Sequence, residues 1–94
     1  MPSVGKLIPV LEDARRLAAL PGNEFIWSSW QDSEAALSEI DGILGMLRAG
    51  SVPGAWMSVL FAPTGPMQEL SIDSGWGQEF LALADRFDEA MASE

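Results

Sequence analysis

The stretch 55-AWMSVLFAPTGPMQELSI-72 decides the fold that the sequence suggests. Residues 55–61 and 67–72 are two short apolar runs, and Ala62-Pro63-Thr64-Gly65-Pro66 between them is dense in turn formers, so the segment reads as an antiparallel hairpin. On the second run Leu70 and Ile72 take one face while Glu69 and Ser71 take the other, the alternation of a sheet with one buried and one wetter side. Such a sheet needs helices over its buried face.

The flanking sequence supplies them. Residues 33–49 read as a helix, capped by Asp32 or Ser33 and stopped by Gly50, with Ala36, Leu37, Ile40, Ile43, Leu44 and Leu47 as its core stripe. Residues 77–92 read as another, with Phe80, Leu83, Ala84, Phe87 and Met91 in one stripe and Asp85, Asp88 and Glu89 outward. A third spans 10–20, with Leu11, Ala14 and Ala18 inward, Pro9 in its first turn and Pro21-Gly22-Asn23 as its stop. This leaves residues 4–8 extended or in a separate turn. Between the first two helices Phe25, Ile26, Trp27 and Trp30 suit a short third strand, weakened by Ser28 and Ser29. The expected fold is therefore α+β: a small antiparallel sheet, a hairpin plus a third strand, with about three helices mainly on one face. One domain covers residues 1–94, with 1–8 mobile and 93–94 frayed.

Composition agrees with a single packed unit. The chain has 94 residues, 48% of them apolar, with four tryptophans and four phenylalanines, enough to build a core without disulfides or metal. It has no cysteine, so disulfide scaffolds and thiolate sites are excluded. No stretch resembles a signal peptide or approaches the roughly 20 apolar residues of a membrane span, so the expected location is cytoplasmic, with no membrane partner. Fourteen acidic residues against five basic ones give a net charge of -9, which disfavours nucleic acid and permits a cationic protein partner.

The residues that invite a functional reading lie on the second helix and among the tryptophans. Ala35, Ser38, Gly42, Gly45 and Ala49 recur in steps of three and four, forming a face of small side chains beside the core stripe. A glycine inside a helix costs up to about 1 kcal/mol relative to alanine, so two of them ask for a close approach. Either the first or the last helix of the same chain packs there, or a second subunit does. Trp27, Trp30, Trp56 and Trp76 suit a small core, an aromatic ligand pocket or an interface, with Trp30 and Trp76, beside polar or glycine-rich turns, expected to be the exposed pair.

Ser71-Ile72-Asp73-Ser74-Gly75-Trp76-Gly77 resembles an anion-binding loop only superficially. It lacks lysine and carries Asp73, so a serine cap is the simpler reading. The acidic groups Glu12 and Asp13, Glu34 and Glu39, and Asp85, Asp88 and Glu89 read as solvated surface. Histidine, cysteine and tyrosine are all absent, which removes the common general base, thiol nucleophile and phenol acid, so no enzyme, catalytic residue, metal or cofactor is expected. The expected function is a protein-interaction module, either homodimeric or acting as an acidic inhibitor or immunity-type partner of a basic protein. The alternative is a small-molecule-binding domain with a tryptophan-lined pocket.

Overall fold

A computed structural model describes residues 2–26, 28–63 and 65–92. Five helices follow one another: α1 (Val4–Ala18), α2 (Ser33–Arg48), α3 (Gly54–Leu60), α4 (Pro66–Ser74) and α5 (Gly77–Ala92). No strand occurs among the described residues, so the fold is all-α and the α+β expectation is overturned.

The correction falls on the stretch that decided the reading. The two runs of the expected hairpin are α3 and α4. A strand would place Met57 and Val59 on one face, yet Met57 is fully buried and Val59 is 61% exposed; the inward residues are Met57, Leu60 and Phe61, at helical spacing. On α4 Met67, Leu70 and Ser71 are buried while Ile72 is 66% exposed, so the supposed alternation is a helical turn. Val59 and Ile72 are the only β-branched residues in the two runs, and the rest are mostly good helix formers. Gly65-Pro66 is a helix start here, with Gly65 at the N-cap and Pro66 in the first turn. A Cβ at Gly65 would fall 2.3 Å from the Val59 carbonyl oxygen, so the chain turns between α3 and α4 only because this residue has none.

The expected third strand is likewise irregular backbone over 23–26 and 28–32; Trp27 lies outside the described residues. Asparagine 23 shows why this connection is held. Its Nδ2 donates to the carbonyls of Leu17 (2.8 Å) and Ala18 (3.0 Å), satisfying the end of α1, while its Oδ1 accepts from Trp76 Nε1 at 2.8 Å. Further along, Glu24 N–H donates to Ser74 Oγ, and Ser29 donates through both N–H and Oγ–H to Glu69 Oε1.

Helix α1 starts earlier than the sequence suggested. Ser3 caps it, accepting from the Lys6 N–H, and Leu7 continues the stripe of Val10, Leu11, Ala14, Leu17 and Ala18, so residues 4–8 are helical and not extended. Pro9 therefore sits in the second turn. It has no N–H to offer the Gly5 carbonyl, and both residues are exposed, which leaves that carbonyl to water. Replacing Pro9 by alanine restores the bond at the loss of some stiffness in the unfolded chain, a net gain of about 1–2 kcal/mol, expected as a higher midpoint in urea unfolding.

Helices α2 and α5 match the sequence reading. Asp32 accepts from Ala35 N–H at 2.9 Å to cap α2, and Gly50 follows its end with a φ of +85°. α1 packs against both α2 and α5, and α5 also against α4. Leu11, Ile40, Leu44 and Leu47 fill the first interface, and the Phe61 and Phe87 rings stack with centroids 4.6 Å apart where α3 meets α5. Arg15–Asp41 (2.6 Å) and Arg48–Glu12 (3.3 Å) join α1 to α2, and Arg86–Asp13 (2.7 Å) joins α5 to α1. These pairs are solvent-exposed, so water and salt screen them and they add little to stability. The hydrogen bond that Arg15 donates to Asp41 raises the already high pKa of the guanidinium. No helix among the described residues is long and apolar enough to cross a membrane.

Candidate functional site

Glu39 organises the second face of α2. It lies one position from the small-residue stripe, and its two carboxylate oxygens accept from two different indoles: Trp30 Nε1–H donates to Oε2 at 2.7 Å and Trp56 Nε1–H to Oε1 at 3.2 Å. Trp30 arrives from the connection before α2 and Trp56 from α3, so one carboxylate ties both segments to the helix between them. A hydrogen bond to a charged acceptor is stronger than a neutral one, and it lets an indole be buried without leaving its N–H unpaired.

The glycine stripe divides into two parts. At Gly42 a Cβ would lie 3.1 Å from Cη2 of Trp56, so the tryptophan rests over this residue because it has no side chain. At Gly45 a Cβ would meet nothing within 4 Å. Ala35 is half-buried, and Ser38, Gly42, Gly45 and Ala49 are exposed. At Gly42 the internal partner is therefore a side chain of α3, not of the first or the last helix, Ala35 packs against the core, and at Gly45 the face is open. Met46, one turn after Gly42, is 37% exposed, and Val59, one turn after Trp56, is exposed too.

This open side of α2 is uncharged. Ser38, Gly42, Gly45, Met46 and Ala49 carry no ionisable group. Of the neighbouring charges, Asp41 pairs with Arg15, Arg48 with Glu12 and Glu39 with the indoles, while Glu34 stands exposed one turn before Ser38.

The expected exposure of the tryptophans is reversed. Trp30 and Trp76 are 7% and 5% exposed, with their N–H groups accepted by Glu39 and Asn23, whereas Trp56, bonded to the same Glu39, retains 38%. The three described tryptophans do not share one site: Trp30 and Trp56 meet on Glu39, and Trp76 completes the cap of α1; Trp27 lies outside the described residues. Trp30 lines a shallow depression of about 560 Å³ with Phe25, Ile26, Ser28 and Gln31.

Residues 71–77 form the end of α4, where Gly75 takes a φ of +86° and both Gly75 and Trp76 donate to the Ser71 carbonyl. Ser74 accepts from Glu24 there, in place of the expected cap on α5. Among the described residues no group of three or more acidic side chains is placed to hold a metal ion. The sequence pointed to the stripe and to the tryptophans but not to Glu39, whose partners lie 9 and 17 residues away in the chain.

No family model matches this chain, and neither does any curated protein or solved structure. What fold and site define is a class: a small acidic protein of five helices among its described residues, with one exposed tryptophan held rigidly beside a smooth helix face.

Proposed function

We propose that the protein is a non-enzymatic interaction module that pairs with a second copy of itself through the open face of α2, with Trp56 as the anchor. The carrying observation is that Trp56 is fixed at both ends, by its bond to Glu39 and its seat over Gly42, while more than a third of it stays exposed. A preorganised aromatic loses little freedom on binding, and tryptophan is the residue type most enriched where interfaces are energetically strongest.

The charge pattern favours a second copy as the occupant. Two chains of charge -9 repel, and the uncharged strip from Ser38 to Ala49 lets them meet with their carboxylates held to the sides. A twofold axis on this strip would set Gly45 and Ala49 of each copy against the other, where small residues permit a close helix crossing.

Sedimentation equilibrium tests this with Gly45→Leu, a substitution that meets nothing inside the monomer, and Trp56→Ala. Both variants are expected to remain folded and to weaken dimerisation about 30-fold or more, corresponding to some 2 kcal/mol. Added salt should leave dimerisation unchanged or strengthen it, because screening reduces the repulsion between copies. A wild-type protein that stays monomeric at millimolar concentration contradicts the proposal.

A further inference from the structure

A second apolar surface lies away from the α2 face and differs from it in charge. Two adjoining grooves of about 370 and 350 Å³ share Gln68, Phe80 and Leu81 and so form one channel along α5. α4 walls one end, at Ile72, and the end of α3 walls the other, at Phe61 and Pro63. Ile72 and Leu81 are 66% and 52% exposed, large values for aliphatic side chains that line a common depression. The stretch of α5 along it, from Gln78 to Asp88, measures about 15 Å at helical rise, the length of roughly three turns of a docked helix.

The distribution of charge selects what fits. The five basic residues are Lys6, Arg15 and Arg16 on α1, Arg48 at the end of α2 and Arg86 on α5, and the last turns to Asp13 of α1. Residues 49–85 contain no cation at all. Asp88 lines the groove, and Asp85 stands one turn beyond Leu81 on the same side; neither has an ion-pair partner among the described residues. Asp73 adjoins Ile72 and is exposed. The channel is thus apolar along its floor and flanked by carboxylates, and no ion pair among the described residues neutralises them.

We propose that this groove is a docking site for a cationic amphipathic helix of a partner protein, with apolar side chains against Leu81 and Ile72 and lysines or arginines against Asp85, Asp88 and Asp73. Helix-in-groove binding uses an apolar face at helical spacing, and opposite charge along the rim sets orientation and speeds encounter. A second copy of this chain does not fit, because its four arginines lie in ion pairs with its own carboxylates and its net charge is repulsive.

The proposal rests on a different surface from the self-association above, and the test separates the two. The full chain is titrated with a three-turn peptide bearing leucine on one face and lysine on the other, and with its leucine/glutamate counterpart, while amide NMR shifts are followed. The lysine peptide is expected to bind and to shift signals of α4 and α5. Affinity should fall about tenfold or more in Ile72→Ser/Leu81→Ser and in Asp85→Asn/Asp88→Asn, and decline steeply with salt. It should hold in Gly45→Leu and in the charge-matched Glu34→Gln/Glu79→Gln. No binding, equal binding of the glutamate peptide, shifts confined elsewhere, or equal losses in the charge-matched control would each overturn the assignment. Loss of dimerisation in Gly45→Leu with peptide binding intact would show the two surfaces to be independent.

Discussion

Leu70→Ala is expected to destabilise the protein by about 2–5 kcal/mol and Ile72→Ala by less than about 0.5 kcal/mol. Leu70 is fully buried, so its truncation removes apolar contacts and leaves a cavity; Ile72, two residues along, is 66% exposed and has little to lose. The contrast separates the architectures, because in a strand the two side chains share a face and their truncations would be comparable. Urea unfolding of the two variants reads it directly. For a small domain whose total stability is about 5–15 kcal/mol, the Leu70 variant should show an obvious fall in midpoint.

Glu39→Leu is expected to cost about 2–3 kcal/mol and to disturb both ends of the site at once. Trp30 is buried and loses the acceptor of its N–H, whereas Trp56, partly exposed, can turn to water. Stability should therefore fall mainly through Trp30, and self-association through Trp56, which is no longer held over Gly42. Glu39→Gln keeps one acceptor oxygen but sets an amide NH₂ against the other indole, so it should recover roughly half of the lost stability. Chemical denaturation with tryptophan emission as the probe measures the first effect, and sedimentation of the same variants the second. An unperturbed emission spectrum in Glu39→Leu would mean that this carboxylate does not organise the indoles.

The long helices were legible because each offers several turns of one period. The stripe from Ala36 to Leu47 and the one from Phe80 to Met91 have no strand interpretation, and Asp32 and Gly50 mark the two ends of the first by known capping chemistry. α3 and α4 have only 7 and 9 residues, too few turns for the helical period to exclude an alternating one; Leu70 and Ile72 satisfy either until burial is known. Gly65-Pro66 is equally ambiguous, since the pair that turns a hairpin also begins a helix. Pro9 misled in the opposite direction: it suggested a helix start, whereas Ser3 and Leu7 carry the helix back across it at a solvent-facing position.

The site was half visible for a related reason. Local spacing on one helix reveals a face of small residues, and so Gly42 and Gly45 stood out. What rests on that face comes from elsewhere in the chain: Trp56 and Trp30 reach Glu39 only once α3 and the connection before α2 have folded against it. A lone glutamate beside a glycine stripe has no sequence signature of a bidentate acceptor for two indoles. Nor does composition tell a buried tryptophan from an exposed one: Trp30 and Trp56 bond the same carboxylate, and the packing around each ring leaves the first buried and the second exposed.

The most direct test of self-association through α2 is the behaviour of the indole N–H signals in NMR as the protein is diluted. The Trp56 signal should move with concentration, along the same curve as the monomer–dimer equilibrium, while those of Trp30 and Trp76 stay in place. A Trp56 signal that holds still while the protein associates, or no association over the whole range, would contradict the account.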